Sequence, residues 1–152
     1  LPSGAIAGLD ALKSVKDELE SVVLVTTKNP NSLKGAPFFD NSDIDPEKIS
    51  EPTVLFEGAA KSAVSLFPKN VNVSALLSLV GLGGNNTSVR VVADPNTDKN
   101  THEINANGKF GSIKITVENI PDSTNPKTSR LATLSAIELL RQICTKEVQI
   151  GT

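Results

Sequence analysis

Residues 88–118 carry the pattern that most narrows the folds open to this chain. Val89, Val91 and Ala93 alternate with Ser88, Arg90 and Val92, and Ile113, Ile115 and Val117 alternate with Ser112, Lys114 and Thr116. A period of two sends successive side chains to opposite faces of a strand. The last run therefore predicts a strand with one buried and one polar face. Between these runs, His102 to Asn107 reads as a further strand, joined to Gly111–Glu118 through Asn107-Gly108, a dipeptide suited to tight hairpins. The buried face needs a cover, and the remaining sequence offers helices for it. The expected fold class is α/β (α+β), with a mixed, largely open β-sheet covered by helices.

Those helices are predicted from periodicity. Ile6, Leu9, Leu12, Val15 and Leu19 line one face of a helix over residues 3–20, with Ser3 as N-cap. The β-branched run Val22 to Thr27 predicts a strand ended by Asn29-Pro30. Residues 29–52 contain four prolines and predict a long loop. Thr53 to Glu57 reads as a strand, Gly58 to Leu66 as a short helix, and Val71 to Leu82 as an apolar helix stopped by Gly81 and Gly83-Gly84. Asn125-Pro126 is expected to open the last long helix. Its apolar residues Leu131, Leu134, Ile137, Leu139, Leu140 and Ile143 spread over more than one side, which predicts packing against two surfaces. Residues 147–150 suit a short final strand.

At 152 residues the chain is expected to form one domain. A net charge of −2, five aromatic residues that are all Phe, and no basic stripe argue against nucleic-acid binding. No apolar run reaches membrane-spanning length, and the N-terminus lacks the charged region of a signal peptide, so a cytoplasmic location is expected. The first residue is not Met, which suggests a piece of something longer. Cys144 is the single cysteine and its apolar neighbours predict a packing role. One histidine and one cysteine make a poor metal site, so none is expected.

His102 is the single histidine. It follows a polar segment between two strands, and strand ends held by a sheet are where catalytic groups tend to sit. Its ordinary pKa also suits proton transfer near neutrality. Gly81-Leu82-Gly83-Gly84 follows a helix and precedes a strand, the reverse of a dinucleotide loop, so it is read as a helix stop. The segments Ser3–Gly8 and Asn125–Ser129 would start helices with unpaired backbone N–H groups, suited to anions or carbonyls, although in isolation plain capping is the favoured reading. Asn70 and Asn72 are either caps or carboxamides that bind a ligand amide.

Several of these segments occur together in one family. Pro2–Leu12, Glu51–Gly58 and Phe67–Val73 match in order, followed by Val92–Pro95 with Asn100–Ile104, and Glu118–Pro121 with Asn125–Ser129. Over nearly its whole length the chain resembles the C-terminal domain of L-aspartate dehydrogenases, the second domain of a Rossmann-type dehydrogenase. The glycine fingerprint of the N-terminal nucleotide-binding Rossmann domain is absent from these residues. The chain by itself is therefore expected to be inactive and not to hold a dinucleotide.

The resemblance implies an NAD- or NADP-dependent enzyme that interconverts L-aspartate with oxaloacetate and ammonia through iminoaspartate. It also implies His102 as the catalytic residue and Ala5 and Asn72 as contacts to the nicotinamide end of the cofactor. A homodimer joined by broad sheet-face packing is implied as well. Chemistry alone adds the substrate's carboxylates, for which Lys127 and Thr128 at the start of the last helix are candidates, with Lys28 and Lys69 as weaker ones. Two other readings remain: a non-catalytic oligomerisation domain of the same fold, and a related two-domain reductase of another imine or semialdehyde.

Overall fold

A computed structural model describes residues 1–68, 72–122 and 128–145. Its centre is a five-stranded mixed sheet in the order β2-β3-β1-β4-β5. The strands are β1 (Leu19–Lys28), β2 (Thr53–Ala59), β3 (Thr87–Ala93), β4 (Asn100–Gly108) and β5 (Gly111–Asn119). β1 pairs parallel with β3, while the β2–β3, β1–β4 and β4–β5 pairs are antiparallel. All five lie where the sequence places strands, with ends moved by a few residues.

One face of the sheet is covered. Val22 and Leu24 of β1, Val89, Val91 and Ala93 of β3, and Ile104 and Ala106 of β4 are buried there. Helices α1 (Leu9–Ser14), α3 (Ala60–Leu66) and α4 (Asn72–Val80) supply the buried Leu12, Ala60, Ala63, Val73 and Leu77. The opposite face carries exposed polar residues such as Ser112, Lys114 and Thr116 and the Arg90–Glu57 ion pair. The expected open, one-sided sheet is therefore observed. Among the described residues no helix is long and apolar enough to cross a membrane.

Several expectations fail for identifiable reasons. The helix predicted over residues 3–20 shrinks to α1 plus a single 3-10 turn at Lys16–Glu18. Gly4 and Gly8 have φ of 67° and 72°, left-handed conformations that end any helix and that side chains disfavour. The segment before Leu9 is consequently a turn, and Ser3 caps nothing. The loop over 29–52 is not featureless: it holds α2 (Pro30–Leu33) and 3-10 turns at Pro37–Asn41 and Pro46–Lys48. It is ordered by Phe38, whose ring stacks on the fully buried Phe67 at 5.1 Å.

The β4–β5 hairpin turns at Lys109-Phe110, because Gly108 pairs directly with Gly111. Gly108 has a different task from the one its neighbour Asn107 suggests. A β-carbon there would collide with the backbone carbonyl of Glu18, so the glycine permits close strand approach. After α4, the N–H of Gly83 bonds the carbonyl of Ser78, and Gly83 takes φ 81°; the glycine run is indeed a helix stop.

The last helix, α5 (Arg130–Cys144), opens at Ser129 as N-cap rather than at Asn125-Pro126, which lie outside the described residues together with the suggested strand at 147–150. Leu134, Ile137, Leu140 and Ile143 of α5 are exposed. Its second apolar side thus has no cover among the described residues. Cys144 is exposed rather than packed.

Candidate functional site

The covered face changes character along β1 and β4. Strand parity carries Val22 and Leu24 on to Thr26 and Lys28, and Ala106 and Ile104 on to His102 and Asn100, all buried. Thr26 lies directly opposite His102 in the antiparallel register. The sheet thus begins as hydrocarbon core and ends in a patch of polar groups withdrawn from water.

A cavity of about 440 Å³ opens over that patch. Lys28 and His102 line it from the sheet, and Leu1–Ala5 form another wall. α4 contributes Asn72, Val73, Leu76 and Leu79, and the start of α5 contributes Thr128, Ser129 and Ala132. His102, Ala5, Asn72 and Thr128, far apart in sequence, therefore share one cavity. Lys127, Lys69 and Asn70 lie outside the described residues.

Each wall is held by specific bonds. Asn119, at the end of β5 and buried, donates its amide to the carbonyl of Ala5 at 2.9 Å. The N–H of Gly4 donates to Ser135 Oγ on α5 at 3.1 Å. Together these bonds fix the turn that replaced the expected helix, so Ala5 reaches the cavity without one. Asn100 donates to Ser129 Oγ at 3.5 Å, tying the N-terminus of α5 to β4. Asn72 is the first residue of α4 and is exposed at the rim, as a carboxamide offered to a ligand must be.

His102 is 1% exposed, and its Nδ1 lies 3.1 Å from Thr26 Oγ1. A hydroxyl both donates and accepts, so Thr26 can partner either neutral tautomer. Nε2 is then left to face a ligand as lone pair or as N–H. Burial first, and the charge of Lys28 second, push the imidazole down to about 3 from its ordinary 6.5. Burial likewise lowers Lys28 to about 8 from 10.5. At neutral pH the cavity therefore presents a neutral imidazole beside a mostly protonated ammonium.

Thr26, Asn100, Asn119 and Ser135 were not singled out from sequence. Thr26 was within reach, since it continues the inward parity of Val22 and Leu24. The two asparagines and Ser135 acquire their roles only through contacts between distant segments.

The sequence and the fold both have close counterparts. The family described as aspartate dehydrogenase, C-terminal, matches residues 10–143. The L-aspartate dehydrogenase of Nitrosopumilus maritimus is 66% identical over 152 residues, covering 100% of this chain and 56% of that relative. That of Methanocella arvoryzae is 51% identical over 153 residues, again covering 100% of this chain and 56% of the relative. The crystal structure of aspartate dehydrogenase from Thermotoga maritima superposes with a TM-score of 0.75 at 34% identity, covering 98% of this chain and 55% of that one. The chain thus spans about half the length of the relatives it matches. Because the family match runs from α1 through every strand of the sheet and into the last turn of α5, the chain belongs to the aspartate dehydrogenase C-terminal family.

Proposed function

We propose that these residues form the catalytic and dimerisation domain of an NAD- or NADP-dependent L-aspartate dehydrogenase of the cytoplasm. It interconverts L-aspartate with oxaloacetate and ammonia through iminoaspartate. The nucleotide is held mainly by a Rossmann domain outside these residues. One observation carries the reading: the buried His102 shares its cavity with Ala5 and Asn72.

The cavity suits the nicotinamide end of such a cofactor. Val73, Leu76 and Leu79 give an apolar wall, Ala5 adds only a methyl group, and Asn72 offers both a donor and an acceptor to a carboxamide. The bound nucleotide supplies hydride transfer at C2 of the substrate. His102 handles the protons. Its neutral Nε2 accepts one from the aspartate ammonium and passes it to solvent. It then accepts one from the water that adds to C2 of the imine and returns it to the nitrogen, so that the C2–N bond breaks and ammonia leaves.

A base of pKa about 3 is weak, but the negative charges of a dicarboxylate entering the cavity would raise it. Base strength is thereby coupled to substrate occupancy. Thr128, which lines the cavity at the start of α5, receives a substrate carboxylate, aided by the helix dipole. The sequence assigns Lys127, outside the described residues, to the same role. The homodimer forms through the open face of the sheet.

In the full-length protein, His102→Ala should lower turnover by roughly 10²–10⁴-fold and leave nicotinamide-nucleotide affinity nearly intact. Steady-state kinetics with direct nucleotide titration measures both. Unchanged turnover would remove His102 from the mechanism.

A further inference from the structure

Lys28 differs from the other cations described. The five ion pairs among the described residues join side chains that are all at least 41% exposed. Lys28 is 4% exposed and has no carboxylate within ion-pair distance among the described residues. A buried ammonium without a counter-ion is costly, and folded chains seldom keep one without a use for it.

Its position is not accidental slack at a strand end. Lys28 is the last residue of β1, opposite Ala93 of β3, and its carbonyl accepts the N–H of Asp94 at 2.9 Å. The next residue, Asn29, donates its carboxamide to the carbonyls of Pro95 and Thr97 at 3.3 and 3.1 Å. With the backbone clamped on both sides and inward parity set by Val22, Leu24 and Thr26, the side chain is committed to the covered face. There it lines the same cavity as His102. Lys28 and His102 are the only titratable side chains among the described residues lining it, and neither can neutralise the ammonium.

We propose that Lys28 is the counter-ion of a substrate carboxylate: the cavity keeps an unpaired cation because its ligand brings the anion. The identity of that ligand as a four-carbon dicarboxylate rests on the dehydrogenase reading above. The demand for an anion rests on Lys28 alone. The roles separate cleanly, with Lys28 holding charge and the neutral His102 moving protons.

Succinate tests this, since it has both carboxylates but neither an amine nor a carbonyl to react. Calorimetric titration of succinate into full-length protein should weaken by about thirtyfold or more in Lys28→Met, the effect of removing one partner of a buried charge pair. The KM for oxaloacetate should rise in parallel, with the nucleotide KM unchanged and kcat altered far less. Methionine has a similar length and no charge, so the variant's melting temperature should equal or exceed the wild type's.

Equal succinate affinity in the two proteins, no succinate binding by the wild type, or a lowered melting temperature in Lys28→Met would each overturn the proposal. Succinate binding that is lost in Lys28→Met, in a protein with no aspartate dehydrogenase activity, would uphold Lys28 and remove the dehydrogenase reading. Activity that needs His102 and ignores Lys28→Met would do the reverse.

Discussion

Replacing His102 with Gln should make the fold less sensitive to acid, and the size of the effect follows from where the ring sits. In the unfolded chain the imidazole takes up a proton near pH 6.5; in the folded chain it does so only near 3, because burial and then the Lys28 charge oppose it. Between those values the unfolded state binds more protons, so stability falls as pH falls. The contribution is complete above pH 6.5. It is lost by about 1.4 kcal/mol per unit below that, to a ceiling of roughly 5 kcal/mol near pH 3.

Glutamine keeps a partner for Thr26 and carries no titratable group. Asp45 and Glu57, whose carboxyls are held below their ordinary range by the Glu47 N–H and by Arg90 respectively, also lose stability in acid, but equally in both proteins. The informative quantity is therefore the difference between the two. Urea unfolding at steps from pH 7.5 down to 4.5 should show Gln gaining on wild type by about 3 kcal/mol across two units below 6.5. Parallel curves would mean that the folded chain accepts an imidazolium there. The dry, substrate-tuned base assigned to His102 would then be refuted.

Two further perturbations probe the supports of the site. Asn119→Ala removes the amide that holds the Ala5 carbonyl, which should cost about 1–3 kcal/mol in denaturant unfolding; in the full-length protein it should raise the nucleotide KM more than it lowers kcat. Gly108→Ala places a β-carbon against the Glu18 carbonyl and should destabilise by at least about 3 kcal/mol or prevent folding, seen as loss of the cooperative melt. A stable, fully cooperative variant would show that the β1–β4 approach is looser than described.

The residues that broke prediction share a cause. Gly4 and Gly8 lie inside a run with helical spacing, yet their left-handed backbone is stabilised by a bond from Asn119, more than a hundred residues away. Cys144 sits among apolar residues on a helix whose outer side has no described cover, so local composition misjudged its burial. In both cases the deciding contact, or its absence, is non-local.

Alternation and β-branched runs in the chain were enough to place strands at all five positions and to show that one sheet face must be covered. Local sterics suffice there, because side chains alternate along any strand. The pairing of β1 with β4 could not be read that way. It depends on which distant segments bury the most apolar surface together, and it sets Thr26 and Lys28 next to His102 and folds Ala5 and Asn72 over them. Charge, burial and proton affinity in that cavity are consequences of that packing, since each is set by neighbours the chain brings together only when folded.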